Sequence, residues 1–279
     1  MKKKITILIL CLIFINLTAF SAQVRKKEGY LSDSKDKNKT VTTYYLVNSN
    51  GARISTQEYD YLDEVNSNLF IAGNDNKYGL INGQGKSLVP FEYQEIKSLK
   101  YNVLRFKYDN KYGLMTFNGG LILPANYSYL EKIDDRVLKY NNTSINTSEG
   151  SGSSGIEMIG LMDYQGNIIT EPKYSYIDKI DNYLLRVIVS ASKAGESQQD
   201  ALPPGVVSPT AGAAIPKTYV TGKYGLIDYN GKVVLSPQYD YLNKINNTIL
   251  RVKKGSSWGR VEFYHGNILN VMMDYQSYW

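Results

Sequence analysis

KYGLIDYNGKVVLSPQYDYLNKINNTILRVKK, residues 223–254, is the stretch whose reading decides the fold. In it Gly225 is followed six residues on by Gly231 and fourteen residues on by Tyr239. The same marks recur in KYGLINGQGKSLVP from Lys77, KYGLMTFNGGLILP from Lys111 and MIGLMDYQGNIITEP from Met158. Their first glycines are Gly79, Gly113 and Gly160, their second glycines Gly85, Gly119 and Gly166, and their tyrosines Tyr93, Tyr127 and Tyr174. First glycines are spaced by 34, 47 and 65 residues, which is a period of 34 with insertions of 13 and 31. Self-similarity at such a period marks a repeat architecture.

The array extends in both directions. One period before Gly79 lies Tyr45, with Gly51 and Tyr59 in phase, and one period after Gly225 lies Gly259, preceded by Trp258. Five units and a partial sixth therefore cover residues 44–279. The insertions, near 141–155 (NNTSINTSEGSGSSG) and 190–221, have loop composition, the second holding Pro203, Pro204, Pro209 and Pro216. The repeat resumes in phase after each, so both read as surface loops within one domain.

Within a unit every signal is β. Asn50, Gln84, Asn118, Gln165 or Asn230 precedes the second glycine, and Asn-Gly predicts a two-residue hairpin. The flanking strands do not alternate: Leu80-Ile81, Leu114-Met115 and Leu226-Ile227 are followed by Leu121-Ile122-Leu123 and Val233-Val234-Leu235. Adjacent strand residues point to opposite faces, so both faces are expected to be buried. A small sheet buried on both sides is sandwiched between its neighbours. The expectation is an all-β domain of tandem antiparallel repeats of about 34 residues, forming a propeller-like toroid, with an open β-solenoid as the alternative. Closure would pair the partial copy Trp258–Trp279 with the degenerate unit at 44–76 and cover two sheet edges.

The motif resembles the WG (KWG) repeat family of bacterial proteins. The residues that carry the resemblance are Tyr78-Gly79-Leu80-Ile81-Asn82 with Gly85-Lys86, Pro90 and Tyr93, and Tyr224-Gly225-Leu226-Ile227-Asp228 with Gly231-Lys232, Pro237 and Tyr239. Trp258-Gly259 alone keeps the tryptophan, and the resemblance covers about five-sixths of the chain. It implies a β-rich repeat scaffold that mediates interactions, with no shared catalytic residue to carry over.

Before the array, residues 1–21 (MKKKITILILCLIFINLTAFS) read as a signal peptide. Lys2–Lys4 form a basic n-region, Ile5–Phe20 an apolar stretch, and Ala19 and Ser21 a small-residue cleavage site. The expected mature chain begins near Ala22, and an uncleaved anchor is the alternative. Cleavage removes Cys11, the only cysteine, which excludes a disulfide framework or a CxxC centre. The product is expected in the periplasm, at the cell surface or outside the cell, without a transmembrane span. Residues 22–43 (AQVRKKEGYLSDSKDKNKTVTT) read as a basic polar linker. Of 32 basic residues nine precede residue 44, against three of 26 acidic ones, leaving 23 of each in the array. The basic balance thus belongs to the leader and linker, and no stripe for nucleic acid is expected.

Chemistry is sparse. His265 is the only histidine and reads as a solvent-facing turn residue beside Gly266. No cofactor, metal site or catalytic residue is expected. Tyrosine, at 25 residues, is the abundant aromatic. Tyr59, Tyr93, Tyr127, Tyr174 and Tyr239 fill one column, expected to be structural like the glycines Gly79, Gly113, Gly160, Gly225 and Gly259. Two residues on stand Tyr61, Tyr129, Tyr176 and Tyr241, with Glu95 in the remaining unit. A dry core slot rejects Glu, so this column is expected at an exposed rim as a ligand-contact face. Tyr rings there suit a protein partner or a surface glycan. The reading is a monomeric, non-catalytic, exported scaffold. The alternative is an envelope hydrolase of the glycosidase type, with paired carboxylates at Asp134/Asp135, Asp178/Asp181 or Asp60/Asp63. Each pair sits in a turn, where Asp is favoured on backbone grounds alone.

Overall fold

The structure, a computed structural model, describes residues 22–30, 40–142, 158–190 and 222–275. The signal peptide, most of both insertions, and the last four residues lie outside them. Every regular element among the described residues is a strand. The chain divides into two compact units, Met1–Ile96 and Lys97–Trp279, described here one at a time. Ring closure concerns both together and stays an expectation.

In the first unit β1 (Gln23–Tyr30) pairs antiparallel with β2 (Thr40–Val47), Gln23 opposite Val47. Isolated bridges Tyr44–Tyr59 and Val47–Arg53 add a broken third strand. A full antiparallel sheet follows, β3 (Tyr61–Asn66), β4 (Leu69–Asn74), β5 (Lys77–Asn82) and β6 (Ser87–Tyr93), in sequence order. The described parts of the expected linker, 22–30 and 40–43, are therefore strand residues, and 31–39 lie outside the described residues. The charged run Gln23–Tyr30 lacks strand alternation of its own, but β2 supplies a complete partner, and Ala22 is buried in the core beside Leu46 and Tyr59.

The second unit continues the pattern. Strands β7 (Glu95–Ser98), β8 (Val103–Tyr108), β9 (Lys111–Thr116), β10 (Leu121–Lys132), β11 (Leu138–Asn142), β12 (Ile159–Met162) and β13 (Ile168–Tyr174) hydrogen-bond in sequence order. This run is two sheets joined by one strand: the first half of β10 pairs with β9, the second half pairs with β11, and Tyr127 pairs with both. Then come β14 (Tyr176–Lys179), β15 (Leu184–Ser190), β16 (Gly222–Asp228) and β17 (Val233–Tyr239). The last sheet is β18 (Tyr241–Lys244), β19 (Ile249–Lys254), β20 (Ser257–Tyr264) and β21 (Asn267–Tyr275). The up-and-down four-stranded sheet, repeated and stacked, is propeller-like. Each sheet begins at the Tyr or Glu two residues past the structural tyrosine, so the Tyr-Gly motif opens its third strand. The partial copy from Trp258 accordingly completes the last sheet, with β20 between β19 and β21. Asn141 and Asn142, expected in the first insertion, end β11.

Hydrophobic cores lie between sheets. Leu226 packs with Leu242, Leu250, Val252 and Val261 of the following sheet, whereas Ile227 packs with Val137, Leu161 and Tyr174 of the preceding one. Both are fully buried, as the non-alternating pattern requires. The outer strand is different: Leu121 and Val233, near its start, are 66% and 45% exposed.

The turns also depart from expectation at one point. Gly85, Gly119, Gly166 and Gly231 have φ between 76° and 85°, while the residue before each does not enter the left-handed region. With Gly231 N–H bonded to Asp228 O (3.1 Å) and Asp228 N–H to Lys232 O (2.9 Å), these are three-residue loops, a type I turn followed by a left-handed glycine. Asp228 Oδ1 accepts from the N–H groups of Asn230 and Lys232 at 2.9 Å, and Asp163 does the same for Gln165 and Asn167. That column of Asp and Asn is turn chemistry.

The first glycine of the motif serves close approach. A Cβ on Gly225 would stand 2.7 Å from Leu235 O and Pro237 N, where β17 bulges over β16. Gly225→Ala is expected to cost about 1–3 kcal/mol by overpacking, read as a lowered urea midpoint, and an unchanged midpoint would refute the close-approach role.

Candidate functional site

The first strand of each sheet presents the expected tyrosine row. Tyr61 and Tyr176 are 41% and 37% exposed, and Tyr129, Tyr241 and Glu95 are half-buried. Strand alternation accounts for this, since the next residue, Leu62, Ile96, Leu130, Ile177 or Leu242, is buried. The companion column behaves as structure: Tyr59, Tyr174 and Tyr239 are buried, and Tyr93 and Tyr127 half-buried.

The aromatic residue of the Tyr-Gly or Trp-Gly motif forms a shelf beside the row. Tyr61 meets Tyr78 edge-on at 5.5 Å between ring centres, and Tyr241 meets Trp258 likewise at 5.5 Å. A second-strand cation lies over the same shelf, Arg105 over Tyr112 at 4.8 Å and Arg251 over Trp258 at 4.4 Å, a favourable cation–π geometry. Arg105, and Arg186 at the corresponding place in β15, also tie sheet to sheet. Arg105 Nη1 donates to Leu130 O (2.8 Å) and Arg186 Nη1 to Leu242 O (2.9 Å). Arg186 further holds Asp178 through two parallel bonds, 2.9 and 2.6 Å. Tyr129 donates to Glu131, and burial, followed by that carboxylate, pushes its hydroxyl pKa upward. Burial and Asp178 do the same for Tyr176. Both hydroxyls are therefore neutral donors at physiological pH. The surface offers ring faces and hydroxyls interleaved with charge, suited to a polar partner with apolar patches.

A second cluster lies at the turns following the first strands, and the sequence reading missed it. Arg136 sits over the Tyr229 ring at 3.4 Å, donates through Nη1 to Asn182 O (2.6 Å) and pairs with Asp134 (2.9 Å). Lys179 also reaches Asp134, at 3.2 Å. Tyr164 is buried and donates to Asp134 O (2.7 Å), and Tyr229 donates to Asp181 O (3.0 Å). Tyr101 packs edge-on against Tyr164 (5.5 Å). His265 is an exposed turn residue, as read, and stacks on Tyr264 (4.0 Å) and Tyr183 (4.9 Å). The available signal was the aromatic four residues past the motif glycine, Phe117, Tyr164 and Tyr229.

Each of the three carboxylate pairs has at least one member already engaged. Asp178 is bound by Arg186; Asp181 Oδ1 accepts from the N–H groups of Tyr183 and Leu184; Asp60 accepts from Asp75 N–H. For Asp134, burial raises the carboxyl pKa but is outweighed by Arg136, Tyr229 and Lys179, which leave it well below the ordinary range. Asp135 is lowered chiefly by Lys132. A general acid needs the opposite shift. Among the described residues, no group of three or more His, Cys, Asp or Glu side chains is placed to hold a metal.

The family model described as "WG containing repeat" matches residues 78–112, 159–184 and 224–258. The chain carries WG containing repeats. Two matches run from motif aromatic to motif aromatic, Tyr78 to Tyr112 and Tyr224 to Trp258, so the WG period is the 34-residue spacing. No curated protein matches the chain. Among solved structures it is similar to the N-terminal domain of Nup159, at 8% identity and TM-score 0.34, over 77% of this chain and 61% of that one. It is also similar to a eukaryotic initiation factor, at 7% identity and TM-score 0.38, over 93% and 66%. The chain spans under two thirds of the length of either.

The depressed carboxyl of Asp134 fixes a pH dependence. Its folded pKa lies below the unfolded value of about 3.9, so its stabilisation is complete above about pH 5 and is lost as pH falls through the unfolded and then the folded value. Asp134→Asn is expected to cost about 1 kcal/mol at pH 7 and to flatten the decline in urea midpoint between about pH 5 and pH 3. An acid profile identical to that of the parent would show that the cluster does not bear on stability.

Proposed function

We propose that this WG-repeat chain is an exported, non-catalytic scaffold that binds a protein or a surface glycan through its tyrosine row. The observation that supports this reading most directly is the exposure of Tyr61 and Tyr176 on first strands whose next residue is buried. A ring left in water on an otherwise packed strand is available for a partner. The opposing hydrolase reading draws no support from Asp60, Asp134, Asp178 and Asp181, which are held by arginine, lysine or backbone N–H groups.

The scaffold acts as a monomer. The outer strands β6, β10, β13 and β17 contain Pro90, Pro124, Pro172 and Pro237, and a proline on an edge strand removes a donor from edge-to-edge pairing.

Two measurements test the reading. Tyr61→Ser in the first unit and Tyr176→Ser in the second, made singly, are each tested for capture of a partner from the native envelope, and Tyr176→Ser is expected to lose about tenfold, with the urea midpoint kept. Equal capture by parent and Tyr176→Ser would overturn the row as the contact face. N-terminal sequencing of exported protein is expected to begin at Ala22, and exported chains that retain Cys11 would overturn cleavage.

A further inference from the structure

Among residues with left-handed backbone, Tyr101 is out of place. It and Asn102 have φ of 58° and 59° and are the central pair of a turn closed by Val103 N–H to Lys100 O (3.1 Å). The pairs Asp75-Asn76 and Asp109-Asn110 adopt the same backbone, and Asp and Asn are the residue types whose short polar side chains can offer compensation for it. A tyrosine has no such compensation, so the backbone is strained there without a local return. Nor does folding use the ring for burial, since Tyr101 is 63% exposed. It stands edge-on against Tyr164, which is 1% exposed and anchored through its hydroxyl to Asp134 O. The result is a fixed aromatic ring with a face toward solvent.

That ring borders a cleft. Tyr101, Asp135, Arg136, Tyr164 and Gln165 line a recess of about 280 Å³. Over Asp135 and Arg136 it adjoins a larger recess of about 580 Å³, reached by Lys132, Lys179 and Asn182. Both recesses are open, the Tyr101 recess flanked by two aromatic rings and the larger one lined chiefly by charged and polar side chains, a combination suited to a ligand with one apolar face and polar substituents. Among the lining side chains Lys132, Arg136 and Lys179 outnumber Asp134 and Asp135, to which they are paired, leaving a cationic excess of one. Arg136 is held in place between Tyr229, Asn182 O and Asp134, so ordering costs little on binding.

We propose that this cleft binds an acidic saccharide, one sugar ring lying on the exposed face of Tyr101 and its carboxylate meeting the Lys132, Arg136 and Lys179 side. A pyranose ring presents an apolar C–H face to an aromatic ring and hydroxyls around its rim. Asp135, Gln165 and Arg136 are planar groups able to take two such hydroxyls at once. Positive charge in excess selects a saccharide that carries an anion. The cleft lies at the far end of the first strand from the tyrosine row, so the two surfaces can be tested apart.

The test is calorimetric titration of the full mature chain with oligogalacturonate, a neutral cello-oligosaccharide of equal length, and an oligoglutamate of equal charge. Oligogalacturonate is expected to bind, weakening in higher salt, with the neutral sugar at least about tenfold weaker. Tyr101→Gly fits the turn without strain, so the fold is kept while affinity falls about tenfold or more. Lys179→Gln is expected to weaken binding several-fold and reduce its salt dependence. Failure of oligogalacturonate to bind saturably would overturn the proposal. So would binding that Tyr101→Gly leaves unchanged, or oligoglutamate binding as tightly and with the same indifference to Tyr101. Capture through the tyrosine row is read separately and survives any of these outcomes.

Discussion

Leu226 and Ile227 are neighbours in β16, and neither is reached by solvent. Because they point to opposite faces, the sheet that carries them must be covered on both sides. Leu226 is covered by the sheet that follows and Ile227 by the sheet that precedes. Full burial of each such side chain is worth about 1.5–3 kcal/mol, and no sheet obtains it alone. The core of this protein is therefore a property of adjacent pairs of sheets, and stability is a nearest-neighbour quantity. The motif glycine follows from the same demand. For the outer strand to bulge over the third strand while that strand stays packed on both faces, Leu235 O must come where a Cβ would stand.

What was legible in the sequence was whatever is local and repeated. The period, the glycine columns and the two-sided apolar pairs could be read because each sits at a constant offset from the motif. The phase of the sheet could not, because the marker glycine lies in the third strand, and only hydrogen bonding shows where a sheet begins. The turn type was misjudged because a type I′ pair and a type I turn with a following left-handed residue both end in glycine. They differ in the backbone of the residue before it, which Asn or Gln leaves undecided. Strand β1 was illegible for another reason: Gln-Val-Arg-Lys-Lys has no apolar face of its own, and its strand character comes from β2.

The tyrosine row was legible because one copy breaks it. Glu95 in a column of tyrosines excludes a dry environment, and the structure places the column at a half-exposed to exposed rim. The turn cluster was not legible as a cluster: Tyr164 and Tyr229 share one repeat position, but the groups each of them meets come from other positions. Arg136 belongs to the turn of one sheet and Tyr229 to the turn of the next. They meet only once the sheets have stacked, and no comparison of repeat with repeat brings them together.

This difference separates the scaffold from its surfaces. Columns shared by the complete Tyr-Gly units are structural: the buried leucines lie where adjacent sheets touch, and the motif glycines lie where the outer strand bulges over the third strand of its own sheet. Columns that differ from copy to copy lie at the two ends of the first strand, where a side chain answers only to its immediate neighbours. One end carries Tyr61, Glu95, Tyr129, Tyr176 and Tyr241; the other carries the turns of Tyr101, Arg136 and Tyr183. The buried residue between them, Leu130 or Ile177, keeps the first strand anchored whatever stands on either side. Each sheet can thus change the chemistry it displays at one end without disturbing the other end or the core beneath, which is the physical content of calling such an array a scaffold.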